Sequence, residues 1–233
     1  PLDGDIEAEA VVIGGGMAGI LTAYQLECAG VRTVVLEAGR IGGGQTGNTT
    51  AKITCQHGIF CHDFIDKKGR DAAEQYVRAN QAAVEEYKRI IQKEGIDCDL
   101  EEKDSYVYSQ DEKKLKDEAE AAAGLGVKAS FEPRIEIPVS CAGAVKFARQ
   151  AQFHPLKFIR SLSEKLTIYE NSPVRGAEEH IVKTVCGSVK AEKVIFATHF
   201  PFVDFPGMFF TRMHQERSYV LALEGAGVIS GMY

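Results

Sequence analysis

An α/β fold is predicted for this 233-residue chain, and three observations predict it. The apolar run Val11-Val12-Ile13 leads through a glycine-rich turn into a helix-spaced stretch and on to a second apolar run, Val31 to Leu36. A long helix-periodic segment follows. The last third then breaks into short β-type runs, so a first domain built from two stretches of chain is expected, with a second domain interrupting it. Hydrophobic residues at 45% and charged residues at 26% are the balance of a folded globule, which excludes a disordered chain. A net charge of −6, with no basic run longer than two residues, argues against a nucleic-acid partner.

Each element has its own reason. Met17, Ile20, Leu21, Tyr24 and Leu26 give helical spacing up to Ala29, and Gly30 ends that helix. Gly39 to Thr50 is too dense in glycine for regular structure. From Arg70 to Glu94 the apolar positions Ala73, Tyr76, Val77, Val84, Tyr87, Ile90 and Ile91 keep a helical period, which Gly95 closes. Ser105 to Ser109 is predicted as a strand, and Ser109-x-x-Glu112 as the capping box of a helix reaching about Gly124. Val127 to Val139 is expected to be β-rich, with a helix starting at Pro155 that turns Leu156, Ile159, Leu162 and Leu166 to one side. Short strands are predicted at Ile181 to Cys186, at Val189 and at Val194 to Phe196, about a Gly187-Ser188 turn. Phe209 to Leu223 alternates enough to be further strand.

The chemistry starts at Gly14-x-Gly16-x-x-Gly19, which follows a strand directly and opens a helix. The first glycine permits the tight turn, the second lets a pyrophosphate approach the backbone, and the third lets helix and strand pack closely. Unpaired N–H groups and the positive end of the helix dipole then face the phosphates. Glu37 ends the next strand, about 20 residues on, where a carboxylate accepts hydrogen bonds from ribose hydroxyls. It also repels a 2′-phosphate, which argues against NADP. Dinucleotide binding is the reading.

No run crosses a membrane, because the most apolar window, Ala10 to Tyr24, is short and holds four glycines. The acidic start Pro-Leu-Asp-Gly-Asp lacks the basic opening of a secretory signal, so six cytosolic thiols and a cytoplasmic location are expected. The chain begins without Met and stops at Gly231-Met232-Tyr233, and an N-terminal fragment of a longer protein is expected.

The segment Glu37 to Lys52 (EAGRIGGGQTGNTTAK) resembles flavoproteins of the D-amino-acid oxidase and glycine oxidase superfamily. There, a glutamate plus a loop of small residues wraps the FAD pyrophosphate and ribityl chain. Thr46 to Gly58 (TGNTTAKITCQHG) looks closest to the subgroup that often carries a C-terminal Rieske iron–sulfur domain, although no pair of CxH and CxxH motifs at their usual wide separation stands in this sequence. The resemblance implies a Rossmann-like FAD-binding domain with a β-meander over Glu178 to Val194 and an inserted α+β substrate domain, incomplete at its C-terminus. The implied segments are 1–100 and 145–205 for the FAD-binding domain, 101–144 for the substrate domain, and 206–233 for the start of returning strands.

The same resemblance implies that FAD is held by Gly14, Gly16, Met17, Ala18 and Gly19, by Glu37, Ala38 and Arg40, by Gly44, Gln45, Thr46, Thr50 and Ala51, and by Val174, Ala197 and Thr198. It implies oxidation of the C–N bond of an amine or amino acid by hydride transfer to flavin N5, giving an imine that water hydrolyses. No side chain is strictly required as base, since positioning dominates. Two alternatives stay open: a flavin dehydrogenase of a non-amine substrate that passes electrons to an iron–sulfur domain or protein, and a non-catalytic nucleotide-binding remnant. A small-molecule substrate is expected for the amine oxidation and for the flavin dehydrogenase.

Other residues carry less. Cys55-x-His57 looks like half a Rieske motif, but Cys61-His62 follows too soon and without a spacer, so no metal is expected and this region is read as a helix start. His57 is a candidate to face the flavin. Arg217 is a candidate carboxylate clamp, with Arg212 and Tyr219 beside it on an expected strand, against the plain reading of a solvated arginine. Tyr106 and Tyr108 could roof a site or simply pack. Cys28, Cys98, Cys141 and Cys186 read as small apolar residues, and the charged helix from Asp111 to Glu120 as a solvated face.

Overall fold

The computed structural model describes residues 1–203, 207–222, 224–225 and 227–233. In chain order the elements are β1 (Ile6–Ile13), α1 (Met17–Cys28), β2 (Thr33–Leu36), β3 (Lys52–Ile53), α2 (Cys61–Lys68), α3 (Arg70–Glu94), β4 (Glu101–Ser109) and α4 (Glu112–Gly124). They continue with β5 (Ala129–Glu132), β6 (Gly143–Gln152), α5 (Pro155–Ser163), β7 (Thr167–Tyr169), β8 (Gly176–Glu178), β9 (Ile181–Lys183) and β10 (Ser188–Phe196). The chain forms two compact units, Pro1–Thr50 with Pro155–Val220, and Ala51–His154 with Leu221–Tyr233.

The first unit is built on a six-stranded sheet in the order β7-β2-β1-β10-β9-β8. β7, β2, β1 and β10 run parallel, while β10, β9 and β8 form an antiparallel meander. β1 alternates at first, with Glu7 and Glu9 exposed, but from Ala10 to Ile13 it is buried at every position, as is β2, because there both faces are covered. Val12 and Val35 pack with Ala23 of α1 on one side. Val11, Ile13, Val34 and Leu36 pack with Val182, Val189 and Ala191 on the other. α1 also packs against α5.

The second unit is an antiparallel sheet in which β6 pairs with β4 on one edge and with β5 and β3 on the other. α4 packs on β5 and β6, and α2 lies against both α3 and α4. Leu115 and Ala122 of α4, together with Phe147 of β6, are fully buried.

Three expectations change. The compact units divide at 50/51, 154/155 and 220/221, whereas the segments implied for the domains end at 100, 144 and 205. The cause is β6, which pairs with β4 along its length and ends against β3, tying residues 51–53 and 143–152 into one sheet. Second, the N-cap of α4 is Asp111, whose Oδ1 accepts the Lys114 N–H at 3.0 Å. Ser109 is still paired with Gly143 in the β-ladder and is not free to cap the helix. Third, residues 209–222 hold no strand; Phe209–Thr211 is a single 3-10 turn and the rest is irregular. Alternation encodes a face, but a strand also needs a neighbour to pair with, and no described residue supplies one there. Leu223, the end of that expected strand, lies outside the described residues.

Candidate functional site

A cleft of about 700 Å³ opens in the first unit, at the carboxyl ends of β1, β2 and β10. That volume lies within the roughly 300–1,000 Å³ of ligand pockets, and the ends of parallel strands are where such sheets bind ligands. Its floor is the turn from β1 into α1. A Cβ on Gly19 would stand 1.8 Å from the carbonyl oxygen of Gly14, so only glycine lets α1 pack this close to the strand. Gly14 has φ +114, and a Cβ there would sit 2.7 Å from the Ala197 carbonyl oxygen. α1 has no acidic residue in its first turn and no side chain of its own on the N-cap, Gly16, so its positive end is left open to an anion.

Glu37 stands at the end of β2. Its Oε2 accepts the Gly15 N–H at 2.6 Å and its Oε1 accepts the Gly39 N–H at 2.7 Å. The side chain is therefore fixed from both sides, with lone pairs left for further donors. Opposite lies the small-residue arm, Gly42 to Thr46. The Met17 N–H at the start of α1 donates to Thr46 Oγ1 at 3.0 Å, and the Gly42 N–H donates to the Gly15 carbonyl at 3.0 Å. Gly42 has φ +67, and a Cβ there would meet Leu156 and Ile159 of α5 at 2.6 Å, so α5 seats the arm from behind.

All of the expected cofactor residues except Gly19, Thr50 and Ala51 line this cleft. Gly19 lies beneath the turn, and Ala51 opens the second unit in a left-handed conformation with φ +61. The lining also includes Leu36 and Phe196 at strand ends and Pro173 and Phe202 in connecting segments, which sequence reading missed because isolated apolar residues carry no motif. Glu170 was missed too; its contact with Arg40 spans 130 residues and leaves no local pattern.

The remaining candidates lie elsewhere. Nδ1 of His57 lies 2.9 Å from the Tyr76 hydroxyl in an aromatic group with Phe60 and Phe64 of the second unit. Arg217 and Tyr219 are exposed in the irregular segment, with Tyr219 84% accessible, and not on a strand. Tyr106 stacks on Tyr233 at 4.8 Å. Among the described residues no group of three or more His, Cys, Asp or Glu is arranged to hold a metal. The helix start at Cys61 is instead organised by Glu118, 1% exposed, whose carboxylate accepts the N–H groups of Phe60, Cys61 and His62 at 2.8–3.0 Å. Burial, and then the Glu118 charge, push the Cys61 thiol up to about 12. Also among the described residues, no helix is long and apolar enough to cross a membrane.

A mixed sheet with this turn, this carboxylate and this second arm is the arrangement of a dinucleotide-binding domain. The chain belongs to the DAO family of FAD dependent oxidoreductases, whose family model matches residues 9–230. It is 36% identical to a protein of Bacillus subtilis named as a Rieske 2Fe-2S iron–sulfur protein, over 96% of this chain and 46% of that protein. It is 27% identical to gamma-glutamylputrescine oxidoreductase of Escherichia coli, covering 84% of this chain and 50% of that one. The fold is that of L-proline dehydrogenase from P. horikoshii (TM-score 0.69, 22% identity, 84% of this chain and 54% of that one). It is also that of glycine oxidase from Geobacillus kaustophilus (TM-score 0.63, 19% identity, 82% and 55%). The chain thus spans about half the length of the relatives it matches. FAD is the cofactor of this family.

Proposed function

We propose that the cleft of the first unit holds FAD and that the full-length protein oxidises the C–N bond of an amine or amino acid. One observation carries the cofactor placement: Glu37 is pinned by Gly15 and Gly39 across from an arm whose Thr46 hydroxyl meets the first N–H of α1. Glu37 would take the adenosine ribose hydroxyls, and the Met17 N–H with the Thr46 hydroxyl would take the pyrophosphate. Val174, which lines the cleft beside β2, would lie against the adenine. Bound FAD supplies a hydride acceptor; the protein contributes orientation and exclusion of water. The amine assignment is supported by the likeness to gamma-glutamylputrescine oxidoreductase, glycine oxidase and L-proline dehydrogenase, whose names specify amine or amino-acid substrates. The implied domain roles follow the compact units: cofactor to the first, substrate to the second.

A second reading is favoured by the Bacillus subtilis relative. Its name specifies a Rieske cluster, and its match extends over 96% of this chain. In that reading the flavin passes electrons to an iron–sulfur domain or protein, and the substrate is not an amine. The test is to purify the protein, record the visible spectrum, identify any flavin released on denaturation, and add amines and amino acids anaerobically. FAD release with bleaching by an amine supports the first reading. FAD release without bleaching by any amine or amino acid favours the second. A colourless protein that takes up no added FAD overturns the cofactor placement.

A further inference from the structure

Behind the cleft, a segment far away in sequence clamps the turn that follows β2. Glu170, immediately after β7, accepts the Ile41 N–H at 2.8 Å through Oε1 and the Arg40 guanidinium at 2.7 Å through Oε2. The backbone repeats the clamp on either side. Asn171 N–H donates to the Gly39 carbonyl at 2.9 Å, Ser172 N–H to the Glu37 carbonyl at 2.8 Å, and Glu37 N–H to the Tyr169 carbonyl at 3.0 Å. Ser172, 3% exposed, locks the clamping segment in turn: its hydroxyl donates to the Glu170 carbonyl at 3.0 Å and accepts the Leu2 N–H at 2.8 Å. Arg40 itself lines the cleft, and the next residue but one, Gly42, begins the small-residue arm.

We propose that Glu170 is a positioning residue for the dinucleotide, holding Arg40 and the Ile41 backbone so that the arm stands in its binding geometry before the ligand arrives. The inference rests on the cofactor placement proposed above. An exposed ion pair alone is worth little, because two mobile side chains must be ordered to make it. Here one carboxylate oxygen bonds a main-chain N–H of the very turn it braces, so the contact fixes backbone as well as side chain. Ordering a loop in advance removes an entropy cost that binding would otherwise carry.

The test is titration of ADP and of FAD into the flavin-free chain, comparing wild type, Glu170→Gln, Glu170→Ala, Arg40→Ala and the Glu170→Ala/Arg40→Ala pair, each with its apo melting temperature. Glu170→Ala is expected to weaken both ligands about tenfold, the scale of losing preorganisation of one loop. Glu170→Gln keeps an acceptor for the Ile41 N–H and is expected to recover about half of that loss on a logarithmic scale. Adding Arg40→Ala to Glu170→Ala is expected to cost less than Arg40→Ala alone, because its anchor is already gone. If wild type binds and Glu170→Ala binds equally well, the positioning role is wrong while the cofactor placement stands. If affinities fall only in step with melting temperature, and Gln rescues neither, Glu170 is structural and the inference is overturned. If wild type binds neither ligand, the cofactor placement itself fails.

Discussion

Glu37 Oε2 accepts the Gly15 N–H at 2.6 Å, so the carboxylate that ends the second strand is joined directly to the glycine turn that follows the first. With Gly39 on its other oxygen, this side chain has one orientation before any nucleotide is present. Glu37→Gln replaces an acceptor with an NH2 that faces a backbone donor. The expected result is a loss of ADP and FAD affinity of at least about tenfold, or 1.4 kcal/mol. Fluorescence titration of FAD measures it, and unchanged affinity would show that Glu37 does not serve the ribose.

Gly19 and Gly42 are steric requirements of two different kinds. Gly19→Ala drives a methyl group into the Gly14 carbonyl and should destabilise the fold by about 3 kcal/mol, the upper end for overpacking. Gly42→Ala meets only the flexible ends of Leu156 and Ile159 but also needs φ +67, and about 1–2 kcal/mol is expected. Urea denaturation ranks the two. The reverse order would mean that α1 can shift away from β1 at little cost.

Glu118 is a buried carboxylate placed at the positive end of α2. Removing it as Glu118→Ala leaves three backbone donors without an acceptor, and a cost of about 2–4 kcal/mol is expected. Glu118→Gln should fall between Ala and wild type. Equal midpoints in denaturant for all three would show that water replaces the carboxylate freely.

The thiols should separate by environment. Cys28 and Cys186 are exposed, whereas Cys61 is buried and held up to about 12 by burial and by Glu118. At mildly alkaline pH an alkylating reagent should therefore modify Cys28 and Cys186 in the native protein and spare Cys61, since the thiolate is the nucleophile. Mass mapping after a timed reaction reads this out. Rapid labelling of Cys61 would mean that the start of α2 opens readily.

Acid should loosen both units. The Lys88 ammonium holds the Glu102 carboxyl below the usual glutamate range, the Lys146 ammonium does so for Glu132, and the Ile41 N–H, followed by Arg40, does so for Glu170. A depressed folded value means that these contributions are fully present above the unfolded value of about 4.3 and are lost as pH falls through the folded values. Lys146, raised by Glu132, behaves in the opposite sense: its contribution is present below about 10.4 and is lost as pH rises further. All are surface groups, so a shallow decline of melting temperature between about pH 5 and 3 is expected, not a sharp transition. Glu170→Gln should flatten part of it.

The glycine turn, its helix, Glu37 and the long helix Arg70–Glu94 were legible in the sequence because each is written within a few turns of chain. Glycine spacing, apolar period and a closing Gly95 are local facts. β6 was not legible. Its ten residues include Lys146, Arg149 and Gln150, and it is a strand because β4, β5 and β3 pair with it, which no local pattern records. The same applies to Glu170. The expected strand after Phe209 shows the converse, an alternating pattern without a neighbour to pair with.

The strand order of the first unit bears on how the chain is made. β1 lies between β2, which follows it within a few tens of residues, and β10, which arrives only at Ser188–Phe196. During synthesis, Ile6–Ile13 therefore has one apolar edge bare while the whole of β3 through β9 emerges. A growing chain in that condition offers a template for pairing with other chains. The second unit, whose antiparallel sheet closes within Lys52–Gln152, can fold before the first one does. Ile6–Ile13 is then among the last of these elements to find its place, and slow steps in translation or refolding should expose that edge to aggregation.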